Sequence, residues 1–375
     1  MINIFQPSIP EESIKNLEKV FQSNWLGRGK YVQEFESNLC DYLNIKSESF
    51  HTVSSCSDAI FGAFKAFKFP AGSKVLIPTN SFPAIPAAIL NSNLIPVIVD
   101  ISLDDGNILI DELNKTIVDE KIVAIFITDY GGLPCNVPHI KKIVGDSVKI
   151  FIDSAGALGT FINNEINHKE ADFVCWSFDA MKQLVCGEGG GVYIPDSEAL
   201  LEFKSYMYLG LDPKEKSGLD KSHGNKRWWE YQINSPGRRS VFTNINAAIG
   251  LPQIPLLENK IEKRMLLKAR YDELFSEFPS VKILKSTLTD QLSNYFYTIL
   301  LQQRDDLANF LLKNNIYSTM RYFPIHLIEI YKKFSRECPN GDVFSNHALN
   351  IPIHDSLTED EIKHIESTTK KFFDK

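Results

Sequence analysis

Between residues 50 and 195, short β-branched runs alternate with helix-like stretches, and this alternation constrains the fold more than any other feature of the chain. The runs His51–Ser54, Lys74–Ile77, Leu94–Asp100, Ile122–Thr128, Val148–Asp153, Asp172–Phe178 and Gly190–Ile194 read as strands. Several have no polar face. Ile122-Val123-Ala124-Ile125-Phe126-Ile127 is apolar at every position, as a strand of a parallel sheet covered on both sides must be. Ala59–Phe69, Pro83–Asn91 and Val137–Val144 read as covering helices. The pattern predicts an α/β chain whose large domain has three α/β/α layers around a mostly parallel sheet.

At 375 residues the chain is too long for one small core and reads as two domains, a large one over 1–255 and a smaller α+β one over 256–375. Asn244–Phe275 is helical in pattern and leads into the second domain. There Asn294–Leu301 reads as a strand, Arg304–Asn314 as a helix, and Glu359–Phe372 as a closing helix with Thr358 as N-cap. Lys204–Gly237 is aperiodic and rich in Lys, Gly, Tyr and Trp, which predicts a long surface excursion. Within it, Trp228-Trp229 suits sugar stacking or dimer packing, and Lys221–Arg227 suits a solvated turn. A net charge of −7 argues against a nucleic-acid partner or an anionic membrane surface. No apolar run approaches the ~20 residues of a membrane span, and the N-terminus has no secretory pattern. The six cysteines include no CxxC pair, so reduced thiols in a cytoplasmic protein are expected, with no metal site.

Three places carry chemistry. Ser54-Ser55-Cys56-Ser57-Asp58-Ala59 lies between a strand and a helix, where small residues let backbone N–H groups converge on an anion, or where Ser57 or Asp58 simply caps the helix. Asp153 ends an apolar strand, and ligands of open α/β sheets sit beyond such ends. Lys182 stands in an apolar setting ahead of Gly187-Glu188-Gly189-Gly190-Gly191, where partial desolvation makes a lysine a usable nucleophile. A lysine and an acid delivered by successive strands are the pair that pyridoxal 5'-phosphate (PLP) requires.

With these residues in place, the chain resembles the PLP-dependent sugar aminotransferases of the DegT type, which share the aspartate-aminotransferase-like fold type I. The resemblance runs nearly end to end. It is carried by Trp25-Leu26-Gly27-Arg28-Gly29, Pro78-Thr79-Asn80-Ser81-Phe82, Asp129-Tyr130-Gly131-Gly132-Leu133-Pro134 and Asp153-Ser154-Ala155-Gly156-Ala157-Leu158-Gly159. Ser177-Phe178 with Lys182, Tyr322-Phe323-Pro324-Ile325-His326 and Leu349–His354 continue it. It implies that Lys182 takes the cofactor in Schiff-base linkage and shuttles the proton, while Asp153 holds the pyridine nitrogen protonated. It implies that Phe82 and Ala155 flank the ring and that Ser57, the Asp58 N–H and Ser177 hold the phosphate. It further implies that Gly237-Arg238-Arg239-Ser240 reaches the phosphate of a neighbouring subunit in a homodimer, with Arg239 where the family has an asparagine. That arginine is expected to offset the charge of Asp58. Tyr322 and His326 lie where the family faces its sugar nucleotide. Gly156 departs from the usual Gln or His and predicts a smaller, less polar wall beside the cofactor.

The activity implied is transfer of an amino group from an amino acid, glutamate, to a nucleotide-linked keto-deoxysugar, for surface-polysaccharide or related glycan biosynthesis. Two other readings are a PLP-dependent sugar dehydratase and a non-enzymatic binding or regulatory protein. Relatives that dehydrate sugars carry His where Lys182 stands, which favours transfer.

Overall fold

The computed structural model describes residues 1–163, 165–166, 168–213, 231–288 and 291–374. In chain order its strands are β1 Phe50–Val53, β2 Lys74–Pro78, β3 Ile95–Val99, β4 Ile122–Thr128, β5 Lys149–Asp153, β6 Phe161–Ile162, β7 Glu165–Ile166, β8 Phe173–Ser177, β9 Gly190–Tyr193, β10 Lys282–Ile283, β11 Tyr297–Leu300 and β12 Ala348–Ile351. The α-helices are α1 Glu11–Gln22, α2 Lys30–Leu43, α3 Cys56–Ala66, α4 Ala84–Asn91, α5 Ile110–Glu120, α6 Val137–Val144, α7 Ser197–Met207, α8 Asn244–Gly250, α9 Leu257–Ser276, α10 Arg304–Lys313, α11 Pro339–His347 and α12 Glu359–Phe373.

Seven strands form one sheet in the order β1-β9-β8-β5-β4-β2-β3. All its pairings are parallel except those of β9, which runs against both β1 and β8. Alternate residues of the doubly apolar strands feed two separate cores, which is why those strands carry no polar stripe. Ile125, Ile127, Ile150, Ile152 and Trp176 pack under α2 and α6 with Phe35, Leu39, Val137 and Ile140. Phe126, Phe151 and Phe173 pack on the other face under α3, α4 and α7 with Phe64, Ile85 and Phe203. Every strand read from the sequence is present, those of residues 50–195 with ends within a residue of the expected ones, while the strand expected over Asn294–Leu301 starts only at Tyr297.

The smaller unit is an antiparallel sheet, β10-β11-β12, closed by α10 and α12. α9 joins the two units, with Leu257 in the first core and Leu267, Tyr271 and Phe275 in the second. Ile2 also belongs to the second core, and its N–H donates to Asn315 O at 2.7 Å. Ile2 therefore packs with the C-terminal unit, while Ile4 and Phe5 join a cluster that holds Ile101, Tyr130 and Leu133 together with Tyr295 and Phe296. The closing helix starts as expected: Thr358 and Glu361 form a reciprocal capping box.

Two expectations need correction. α3 begins at Cys56 rather than Ala59, because Ser55 is its N-cap and accepts from the Asp58 N–H. Lys204 is not the start of an excursion. Asp196 caps α7, which keeps its register as far as Met207 by burying Phe203 and Met207. The Trp228-Trp229 pair and Lys221–Arg227 lie outside the described residues.

Candidate active site

The carboxyl ends of β5 and β8 carry the two side chains that the sequence singled out, Asp153 and Lys182. Asp153 is the last residue of β5 and is 4% exposed, and its Oδ1 accepts from the Ala155 N–H at 3.0 Å. Burial pushes its carboxyl pKa up; the Ala155 N–H and then the nearby Lys182 cation pull it back by less. Lys182 is 9% exposed and sits in the loop from β8 into β9. That loop is pinned at its neck by Phe178 N–H to Gly189 O and Cys186 N–H to Phe178 O, both at 2.9 Å. Burial also raises the Tyr322 hydroxyl, whose electrostatic neighbours are Lys182, Tyr295, Asp153 and Arg321. Lys182, Asp153 and Tyr322 thus lie within electrostatic reach of one another.

The walls of this cleft are aromatic and small. Phe82 keeps 38% of its surface exposed and meets Tyr322 edge to face at 5.5 Å, leaving ring area open to a flat ligand. Cys56, Cys175 and Asp153 bring their polar atoms within 4.8 Å of one another, and all three are buried. At Gly156 the predicted smaller wall is not left empty. A Cβ there would stand 2.8 Å from Tyr295 Cδ1, so Tyr295 occupies the place a side chain would take. Its ring lies 4.2 Å from Lys182 Nζ and stacks on Phe5 at 4.9 Å, which makes it a cation–π partner of the lysine.

The other end of the cleft is the start of α3. Ser57 lies half-buried in its first turn. The Asp58 N–H, expected to face a phosphate, donates instead to Ser55 Oγ at 3.1 Å. The Asp58 carboxylate faces Arg238 at 2.5 Å and accepts from Ser240 Oγ at 2.8 Å and from Ser54 Oγ. Within the chain the cation that meets Asp58 is Arg238, while Arg239 lies over the Tyr208 ring at 5.0 Å. Ser177 ends β8, where its Oγ accepts from the Asp179 N–H at 3.3 Å.

Of the two residues expected to face substrate, Tyr322 lines the cleft. His326 is held on both ring nitrogens, by Thr79 Oγ1 at 2.6 Å and Asp342 Oδ1 at 3.2 Å, and so braces the loop after Thr79. The sequence reading missed Tyr295, the pairing of Arg238 with Asp58 and the buried contact of His168 with Asp129. Gly156 was the one available signal for Tyr295.

Comparison with known proteins agrees with this geometry. A model of the DegT/DnrJ/EryC1/StrS aminotransferase family matches residues 7–370. The chain is 31% identical to a dTDP-4-dehydro-2,3,6-trideoxy-D-glucose 4-aminotransferase of Saccharopolyspora spinosa, over 99% of this chain and 96% of that one. It is 28% identical to a UDP-4-amino-4,6-dideoxy-N-acetyl-beta-L-altrosamine transaminase of Helicobacter pylori, over 98% and 97%. Its fold superposes on the aminotransferase TlmJ from Streptoalloteichus hindustanus with a TM-score of 0.91 at 27% identity, covering 100% of this chain and 99% of that one. With the match spanning nearly its whole length around a lysine–carboxylate cleft, the chain belongs to the DegT/DnrJ/EryC1/StrS aminotransferase family.

Proposed function

We propose that the chain is a PLP-dependent aminotransferase that moves an amino group from glutamate to a keto-deoxysugar carried on a nucleotide, acting as a cytoplasmic homodimer. The observation that carries this reading is the pair Lys182 and Asp153, both buried and both electrostatic neighbours of Tyr322. The residues fit the cofactor: a buried acid for the ring nitrogen, an open Phe82 face, the small Ala155 close after Asp153, and hydroxyls of Ser57 and Ser177 for the phosphate. Arg238 neutralises Asp58, so the carboxylate at this helix start does not oppose an anion.

When bound, PLP serves as an electron sink that lets nitrogen pass between an amino acid and a keto carbon. Asp153, ionised and dry, keeps the proton on the ring nitrogen. Lys182 Nζ would supply the cofactor's attachment point and would serve as the group that moves a proton at the substrate carbon. The Tyr295 ring, 4.2 Å from Lys182 Nζ, would hold that side chain in place. Tyr322, beside Phe82, orients the sugar, with His326 bracing the same loop. Arg239, with Tyr208 its contact in its own chain, reaches the phosphate of a partner subunit.

The test is a half-reaction. Glutamate added to the PLP-loaded protein should bleach the visible band, and a nucleotide-linked 4-keto-6-deoxysugar should restore it. Lys182→Ala should do neither. A wild-type band untouched by glutamate and by other amino acids would refute the reading.

A further inference from the structure

A second buried group lies directly beside Asp153. Asp129 follows β4 as Ser154 follows β5, and the parallel pairing of Thr128 with Asp153 sets the two side by side. Asp129 Oδ2 accepts from Ser154 Oγ at 2.6 Å and from His168 Nε2 at 2.6 Å, while Oδ1 accepts from the Cys135 N–H at 2.9 Å. The Asp129 N–H in turn donates to Asp153 O at 3.0 Å. Exposure is 2% at Asp129, 1% at His168 and 0% at Ser154.

Burying a carboxylate is costly, and an apolar replacement is often as stable, so stability alone is a weak account of this group. His168 Nδ1 is buried and has no hydrogen-bond partner among the described residues, so a second ring proton there would go unsatisfied. The Asp129 carboxyl is the acceptor of three hydrogen bonds, from Ser154, His168 and the Cys135 N–H. What it grips is the turn that begins at Asp153. Ser154 N–H donates to Cys175 O at 2.9 Å, the Ala157 N–H closes the turn on Ser154 O at 2.8 Å, and between them the Ala155 N–H fixes Asp153 Oδ1.

We propose that Asp129, through His168 and Ser154, is the positioning group of Asp153, locking its turn and adding a second negative charge behind the one that faces the cofactor ring nitrogen. This rests on the reading of Asp153 given above. Two like charges on one side of the ring favour a proton on its nitrogen more than one does.

The experiment compares wild type, Asp129→Asn, Ser154→Ala and Asp153→Asn by three readouts: PLP affinity of the cofactor-free protein by absorbance, the resonance of ring-¹⁵N-labelled PLP in the loaded protein, and thermal melting. Asp129→Asn should bind PLP at least tenfold more weakly and move the nitrogen resonance toward that of Asp153→Asn. Ser154→Ala should weaken binding severalfold and move the resonance less. A lower melting point with affinity within twofold and an unmoved resonance would make the group purely structural and overturn the proposal. Should Asp129→Asn fail to fold, Ser154→Ala decides alone, and no change in its affinity and resonance overturns the proposal. Should Asp153→Asn leave the resonance at its wild-type place, the reading of Asp153 falls first and the proposal with it.

Discussion

Gly190→Ala is the substitution that most directly tests how the sheet delivers the cofactor end of the cleft. Gly190 opens β9 and pairs with Val53 of β1 on one side and Ser177 of β8 on the other. A Cβ there would stand 2.7 Å from Cys56 N and Ser55 C and 2.8 Å from Ser55 O, all backbone atoms of the α3 cap. No side chain can rotate to relieve that contact. The cap must withdraw by about 0.8 Å to restore the ~3.5 Å of an ordinary carbon contact. Ser55 O also accepts the first helical bond, from the Ala59 N–H, so the retreat disturbs the helix start itself. Overpacking of this kind costs about 1–3 kcal/mol. Urea unfolding of the cofactor-free protein measures the loss, with Gly27→Ala as control because nothing lies within 4 Å of a Cβ there. PLP affinity should fall at least tenfold in Gly190→Ala alone, since the same atoms carry the phosphate-side loop. Equal stability and equal affinity in the two variants would refute the packing argument.

Three further outcomes are expected. Asp153→Asn should melt above wild type in the cofactor-free state at pH 8 while losing PLP affinity, because the raised carboxyl pKa means the ionised form is held at a cost; a folded pKa above the unfolded one adds stability only at low pH, so the advantage should shrink on acidification. A lower melting point at pH 8 would contradict this. Arg238→Met should change stability by less than about 1 kcal/mol, the guanidinium being 41% exposed, yet weaken PLP binding severalfold, most at low salt. Asp58→Asn added to it should restore binding, and a double variant as weak as the single one would count against charge as the cause. His354, buried, has its pKa pulled down to about 4 from an unfolded value near 6.5. The unfolded chain therefore takes up the proton first as pH falls, and stability should drop by up to about 3 kcal/mol between pH 6.5 and 4. His354→Gln should flatten that part of the urea-midpoint profile, and an unchanged profile would exclude His354 as its source.

The strands were legible because burial on both faces leaves a mark that propensity alone does not. Ile122–Thr128 has room for neither a polar stripe nor a turn, and its bounds came out unchanged. The lysine and the acid were legible because each follows such a strand. Helix starts were harder. Ser55, Ser57 and Asp58 all suit a cap, and only backbone geometry selects Ser55. Arg238 and Arg239 are adjacent and chemically alike, so which one meets Asp58 depends on the local path of a segment that pairs with Tyr208. The contact of His168 with Asp129 spans 39 residues, and nothing local marks either partner. Tyr295 comes from the far side of the domain boundary, where periodicity reports burial but not what is buried against it.

Phe5 gives the start of the chain an unexpected reach. Ile2 is tied to Asn315 and Tyr317 by backbone bonds, and three residues later the Phe5 ring backs Tyr295, which lies over the Lys182 amine. Whatever is fused ahead of Ile2 pulls on that relay, whereas a fusion beyond α12 acts through Phe372 and Phe373, which reach the Ile2 core but not Phe5. The choice of terminus for a purification handle is thus a choice about whether the nucleophile is left undisturbed.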